Sequence, residues 1–145
     1  MTLPVQRVTL ITLGVDDLPR ARAFYQALGW KPAEAQDGVA FYQMNGLALG
    51  LFGRKELAAD QGRAGATLGT GAMTLAQNFN SPSDVDAAFA AALAAGARAL
   101  KHPDPVFWGG YSGYYADPDG HVWEVAHNPF WPLSEDGTLT LPDAP

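Results

Sequence analysis

Hydrophobic residues in the first part of the chain follow first a strand pattern and then a helix pattern. "RVTLITLGV" (residues 7–15) is rich in β-branched residues, which is typical of a strand. In "DDLPRARAFYQALGW" the apolar residues recur at spacings of three and four, which predicts an amphipathic helix with Leu18, Ala21, Phe24, Tyr25 and Leu28 on its apolar face. Asp17 is expected to cap this helix and Gly29 to end it. "GVAFYQMNG" and "LALGLFGR" predict two strands joined at Asn45-Gly46.

The same order of patterns recurs in the second half of the chain. "AMTLAQNFN" (residues 72–80) predicts a strand. "SPSDVDAAFAAALAAGA" predicts a helix capped by Ser81 and ended by Gly96. "GYYAD" and "HVWEVAH" predict two strands joined by a turn at "DPDG", and His102 in "KHPDP" is expected in a loop. The chain therefore contains two copies of a strand–helix–strands unit with little residue identity.

This repeat divides the predicted domain into consecutive parts. We predict a single α+β domain over residues 1–145, with module one at about 6–54 and module two at about 72–130. Residues 55–71, rich in Ala and Gly, are predicted to be a linker. The Pro-rich residues 131–145 are expected to pack as an extended C-terminal strap over module two.

Composition and charge narrow the class of protein. Hydrophobic residues make up 48% of the 145 residues and charged residues 17%, as in a globular protein. A net charge of −6 with only 9 Lys and Arg disfavours binding to nucleic acid or to an anionic membrane. The absence of cysteine excludes disulfides and thiolate metal sites. No apolar run reaches the roughly 18 residues of a membrane span and the start does not resemble a signal peptide, so we expect a cytoplasmic protein.

Two motifs carry a resemblance to a known family. "LGVDDLPRARAFYQALGW" and "GYYADPDGHVWEVAHNP" resemble the opening and closing motifs of the vicinal oxygen chelate superfamily. This superfamily includes glyoxalase I, bleomycin- and fosfomycin-resistance proteins and extradiol dioxygenases. With the repeat, the resemblance covers about residues 7–129. It implies two βαβββ modules in tandem, strands that curl into half-barrel cups, and assembly as a homodimer.

The resemblance also implies where a metal would bind. Active members hold a divalent metal in the cup with one ligand from each of four strands. Glu124 matches the ligand on the last strand, but Leu10, Gly50 and Thr74 stand at the other three positions. Because a divalent site needs three or four protein ligands, we expect no metal and no other cofactor. A divalent metal held by Glu124 with unexpected ligands stays an alternative.

Glu124 stands alone among apolar residues of the last predicted strand. Because side chains alternate along a strand, Glu124 shares a face with Val122 and Ala126, whereas Trp123 and Val125 are expected to face the helix layer. On the cup face, the carboxylate is either a ligand-binding acceptor or a general base. The alternative, which has equal weight, is a structural carboxylate that accepts a hydrogen bond from a tyrosine or pairs with an arginine.

Further candidates for ligand binding lie on or beside the strands of the cup: Trp108, Tyr111, Tyr42, Tyr114, Asn78 and Thr74. Aromatic walls with a few polar groups are typical of small-molecule pockets, and ordinary packing is the alternative. For Trp108 and Tyr111, which lie beside Gly109-Gly110, the pocket is the favoured interpretation. The predicted function is metal-free binding of a small, partly aromatic or apolar molecule, as in the bleomycin-resistance members. The alternatives are a glyoxalase-type lyase or isomerase with Glu124 as base or metal carboxylate, and a domain used only for association with another chain.

Overall fold

The structure, a computed structural model, describes residues 3–143. The chain divides into two compact units, Met1–Leu68 and Gly69–Pro145. Each unit contains one open four-stranded mixed sheet with a helix packed on it. This confirms the predicted α+β fold of two βαβββ modules in tandem. Within the described residues, no helix has the length and apolar character that crossing a membrane requires.

The first unit has its elements in the order β1 (Leu10–Val15), α1 (Leu18–Ala27), β2 (Glu34–Gln36), β3 (Val39–Gln43), β4 (Ala48–Gly53) and α2 (Arg54–Asp60). The strand order in the sheet is β1-β4-β3-β2. β1 runs parallel to β4, and the other pairs are antiparallel. The predicted hairpin between β3 and β4 forms at Asn45-Gly46, where Gly46 has a φ of 80°.

The two faces of the first sheet differ in what covers them. The residues that α1 covers are apolar and alternate along the strands: Leu13, Val15, Ala40, Tyr42, Leu49 and Leu51. They pack on Ala21, Phe24 and Tyr25, three residues of the predicted apolar helix face. Thr12, Phe41 and Gly50 lie on the opposite face of the sheet.

The end of α1 is built as a Schellman motif. The Gly29 N–H donates to the Gln26 carbonyl at 2.9 Å, and the Trp30 N–H donates to the Tyr25 carbonyl at 3.0 Å. Gly29 has a φ of 89°, in the left-handed region that the motif requires. The Trp30 and Tyr25 rings then stack with centroids 5.2 Å apart. The local motif therefore fixes the backbone from which the Trp30 side chain extends.

Gly29→Ala is expected to lower the free energy of unfolding by about 1 kcal/mol, because an alanine in the left-handed region is strained. An added Cβ meets nothing within 4 Å, so the cost is conformational rather than steric. The matched control is Gly69→Ala, whose added Cβ also points into open space but whose φ lies outside the left-handed range. Urea denaturation measures the free energy of unfolding of both variants. Equal losses of stability would contradict a special role for the left-handed conformation of Gly29.

The second unit repeats the arrangement with β5 (Thr74–Asn78), α3 (Pro82–Ala95), β6 (Arg98–Pro105), β7 (Tyr111–Ala116) and β8 (Val122–His127). The strand order is β5-β8-β7-β6, and β5 runs parallel to β8 just as β1 runs parallel to β4. Ser81 caps α3 by accepting a hydrogen bond from the Asp84 N–H at 3.1 Å. Gly96 ends the helix with a φ of 114°, as predicted.

The prediction of a loop around His102 is wrong, because this residue lies within β6. The strand pairs with β7 through two register shifts, which accommodate the irregular "KHPDP" segment. β6 is an edge strand, where proline is tolerated because one side of the backbone makes no ladder bonds. The His102 ring lies 5.2 Å from the Phe89 ring of α3.

Two segments differ from the predicted linker and strap. Helix α2 covers Arg54–Asp60, so most of this helix lies in the segment predicted as a linker, residues 55–71. The C-terminal segment is not extended throughout, since it folds back on itself at a turn between Ser134 and Gly137. A single bridge joins Leu133 to Leu139. Residues 144 and 145 of the predicted strap lie outside the described residues.

Candidate functional site

Glu124 lies on the face of the second sheet that α3 does not cover. Its neighbours in β8, Trp123 and Val125, are buried, and α3 packs against this strand. Register pairs Glu124 with Tyr114 of β7 and with Ala76 of β5. These three residues form one row across the sheet, which we call the central row. Glu124 and Tyr114 are half-buried in it.

The rows on either side of the central row carry two of the predicted site residues. Thr74 pairs with Val122 in one row, and Asn78 pairs with Ala126 in the other. Ala126 also pairs with Ser112, which is buried. Same-face rows lie about 7 Å apart, so the three rows span about 14 Å, the length of a small organic molecule. We call the face formed by these three rows the open face.

The central row contains a tyrosine–carboxylate contact. Tyr114 and Glu124 pair directly across β7 and β8, so the phenol hydroxyl can donate a hydrogen bond to the carboxylate. Burial raises the pKa of Tyr114, and the charge of Glu124 and this hydrogen bond raise it further. Tyr114 therefore stays protonated as the donor at neutral pH. A carboxylate offers about four acceptor positions, so Glu124 keeps capacity for a second donor.

Lys101 is a site residue that the sequence reasoning missed. It pairs with Tyr114 and places a cation at the β6 end of the central row. The residue lies in the irregular strand that had been predicted as a loop, so no alternation pattern pointed to it. Only the pairing of residues 98–105 with the "GYYAD" strand places Lys101 next to Tyr114, and the sequence pattern does not show that pairing.

The first sheet has a corresponding row formed by Thr12, Gly50 and Phe41. A Cβ added to Gly50 would lie 3.1 Å from Cε1 of Phe41 and 3.4 Å from Oγ1 of Thr12. The Phe41 ring thus covers the position where a side chain of residue 50 would extend. This row is apolar except for the threonine hydroxyl.

These residues do not fit the metal site that the family resemblance implies. Leu10 and Gly50 offer no ligand atom, and Phe41 covers the position of residue 50. Across residues 3–143, no three His, Asp or Glu side chains are grouped so that they could hold an ion. The expectation of a metal-free protein stays a prediction.

Tyr42 is the first of two predicted site residues that lie on a helix-covered face. It is 2% exposed and packs beneath α1. Its ring centroid lies 6.1 Å from that of Tyr25 and 6.3 Å from that of Trp30. Its neighbour Phe41 points to the opposite face.

Tyr111 also lies on the helix side of its sheet. Its hydroxyl donates to Oδ1 of Asp86 in α3 at 2.7 Å. The hydrogen bond to Asp86 raises the pKa of Tyr111. Tyr111 therefore connects β7 to the first turns of α3 instead of extending from the open face.

Trp108 lies at the tip of the hairpin between β6 and β7 and is 38% exposed. Its indole covers Gly110, since a Cβ added there would collide with the ring. Alternation places Gly110 on the same side of the chain as Ser112 and Tyr114. Trp108 therefore lies beside the open face.

Comparisons with known proteins agree with this architecture. The model of the Glyoxalase/Bleomycin resistance protein/Dioxygenase superfamily matches residues 7–125. A glyoxalase-related enzyme from Fulvimarina pelagi is 40% identical with a TM-score of 0.88, over 94% of this chain and 99% of that one. Protein ATC0852 from Agrobacterium tumefaciens is 32% identical with a TM-score of 0.67, over 88% of this chain and 98% of that one.

A lactoylglutathione lyase from Agrobacterium tumefaciens shares the fold, with 24% identity, a TM-score of 0.69, and coverage of 90% of this chain and 100% of that one. No curated protein is significantly similar to the chain. The family model covers most of the sequence, and the Fulvimarina protein matches it over nearly its whole length. The chain therefore belongs to the Glyoxalase/Bleomycin resistance protein/Dioxygenase superfamily.

Proposed function

We propose that the open face of the second sheet binds a small, partly aromatic or apolar molecule without a metal. The observation that carries this proposal is the Glu124–Tyr114 pair, half-buried at the centre of a face that α3 leaves uncovered. Thr74 and Asn78 supply polar groups in the adjacent rows. The Trp108 indole supplies an aromatic surface at the hairpin between β6 and β7, over Gly110.

Glu124, at the centre of the row, favours a ligand with a positive charge or a strong hydrogen-bond donor, whereas the Lys101 cation stands at the β6 end of the row. Glu124 can accept a hydrogen bond from Tyr114, and its carboxylate offers further lone pairs to a donor on the ligand. The net charge of −6 attracts cations toward the protein in general. An aromatic amine combines the two features, with its ring against Trp108 and its ammonium group on Glu124.

A thermal-shift comparison of two compounds with one ring system tests this function. We expect 1-naphthylmethylamine to raise the melting temperature more than neutral 1-naphthalenemethanol, because a ligand that binds only the folded state stabilises it by mass action. The stabilisation reaches about 2.7 kcal/mol at a ligand concentration of 100 times Kd. Elemental analysis of the same sample is expected to find no stoichiometric divalent metal. Equal shifts for both compounds, or about one metal per chain, would contradict the proposal.

A second candidate function is a lyase or isomerase with Glu124 as general base. The observation that favours it is the 40% identity to a protein described as a glyoxalase-related enzyme. A half-buried carboxylate is suited to proton abstraction when substrate reaches it directly. Lactoylglutathione lyase activity that appears with or without added divalent metal, and is lost in Glu124→Gln, would favour this function over simple binding.

We also propose that the protein is a homodimer. β1 and β5 are edge strands with one unpaired side. The exposed Leu10 begins β1, and the exposed Met73 directly precedes β5. Apolar edges of this kind invite pairing unless a partner covers them. Sedimentation is expected to give twice the chain mass of 15.4 kDa, and a mass of one chain would contradict the proposal.

A further inference from the structure

A groove lies at the C-terminal end of α1, within the first unit. Its volume is about 550 Å³, within the range of small-molecule pockets. It is lined by Arg22, Gln26, Trp30, Lys31, Pro32 and Tyr42. Two of these residues are cations and two are aromatic, and no carboxylate lines the groove. The open face of the second sheet contributes none of these residues.

The floor of the groove is aromatic and is held in place by the backbone. The Trp30 indole stacks on Tyr25 at an interplanar angle of 20°, and Tyr42 meets the indole at 61°. Tyr25 and Tyr42 are buried, whereas Trp30 is half-buried. The Schellman motif at Gly29 fixes the backbone of Trp30, whose N–H donates to the Tyr25 carbonyl. A flat ring can therefore stack on a surface that is already formed.

The rim of the groove is positively charged. Within residues 3–143, neither Arg22 nor Lys31 forms an ion pair or hydrogen bond with a carboxylate. Burial raises the pKa of the Tyr42 hydroxyl, and the nearby charge of Arg22 opposes this effect. These two cations stand together in a protein whose net charge is −6. Such a rim attracts an anion, although the protein as a whole is negatively charged.

We propose that this groove is a second ligand site, which takes a small planar aromatic carboxylate. The ring of the ligand lies against the Trp30 indole, where aromatic stacking adds to burial of apolar area. Its carboxylate accepts hydrogen bonds from Arg22 and Lys31, and the Gln26 amide provides a further donor. The site is independent of the proposed function of the open face, since the two use different residues and opposite ligand charges.

Nuclear magnetic resonance of the indole N–H groups tests the location, because each of the 4 tryptophans gives its own signal. The probe is 1-naphthoate. We expect it to shift the signal that is missing from the spectrum of Trp30→Phe. A shift confined to the signal missing from Trp108→Phe would place the probe beside the open face and overturn the proposal.

The chemistry is tested by titration with three probes. We expect 1-naphthoate to bind more tightly than 1-naphthalenemethanol, which lacks the charge, and more tightly than acetate, which lacks the ring. The preference for naphthoate is expected to weaken as salt is added, since exposed charges are screened. Equal affinity for naphthoate and either comparison compound would overturn the proposal.

Arg22→Gln and Lys31→Gln are each expected to weaken naphthoate binding by about threefold to tenfold, as befits charged hydrogen bonds at a partly exposed site. The matched controls are Arg7→Gln and Lys55→Gln, which remove the same charges from exposed positions of the first unit away from the groove. Circular dichroism verifies that all four variants are folded. A control that weakens binding as much as its matched variant would show a general charge effect and overturn the site.

Discussion

Phe24→Ala is expected to lower the free energy of unfolding by about 3–5 kcal/mol, the cost of truncating a buried phenylalanine. Phe24 is 2% exposed and packs from α1 onto the first sheet. Its ring meets that of Tyr25 edge-on, with centroids 4.9 Å apart. The loss combines the hydrophobic transfer energy of the ring with the cavity that the surrounding strands cannot fill.

The matched control is Phe107→Ala, which makes the same chemical change at a position that is 102% exposed. Its expected effect is within about 0.5 kcal/mol, because no buried contact is lost. Urea denaturation followed by circular dichroism measures both variants. A small loss for Phe24→Ala would mean that α1 is not packed as described, and a large loss for Phe107→Ala would mean that a partner buries the hairpin tip.

Glu124→Gln is expected to weaken binding of 1-naphthylmethylamine by about 1.5–3 kcal/mol, roughly tenfold to hundredfold, which is the contribution of a hydrogen bond to a charged group. The substitution keeps the size of the side chain and still accepts a hydrogen bond from Tyr114. It removes only the charge that the ammonium group would meet. Stability is expected to stay the same or to increase slightly, because burying an amide costs less than burying a charge.

The two readouts separate the interpretations of Glu124. Lost binding with unchanged stability supports a ligand site on the open face. A large loss of stability with unchanged binding would instead identify a structural carboxylate and contradict the proposed function. The control is Glu135→Gln, an exposed glutamate in the C-terminal segment, for which neither quantity is expected to change.

Tight turns and helix ends could be predicted because their causes are local. Asp117 in "DPDG" accepts hydrogen bonds from the N–H groups of Asp119 and His121, at 3.0 and 2.9 Å, and so closes its own turn. Ser81 and Gly29 likewise act on backbone groups within three or four residues. Such contacts are decided by the identity of neighbouring residues, which the sequence contains.

The face of a strand residue was predictable only where one set of alternating positions is clearly apolar. In "HVWEVA" the single carboxylate between Trp123 and Val125 determines the phase. In "AFYQ" both Phe41 and Tyr42 are aromatic, so alternation does not say which of them faces α1. Tyr111 presents the same ambiguity, since its hydroxyl suits a ligand as well as the Asp86 acceptor that it meets.

The sequence by itself determined the order of the two long helices and of six of the strands, the repeat of the two modules, the caps of the long helices and the side of β8 from which Glu124 extends. These features follow from side-chain period and from hydrogen bonds between near neighbours. Only the tertiary structure decided which residues meet across strands. Register placed Tyr114 and Lys101 in the row of Glu124, and packing on α1 brought Trp30 and Tyr42 together beside Arg22. These contacts join residues distant in sequence, and their register depends on burial summed over whole sheets, which no short pattern contains.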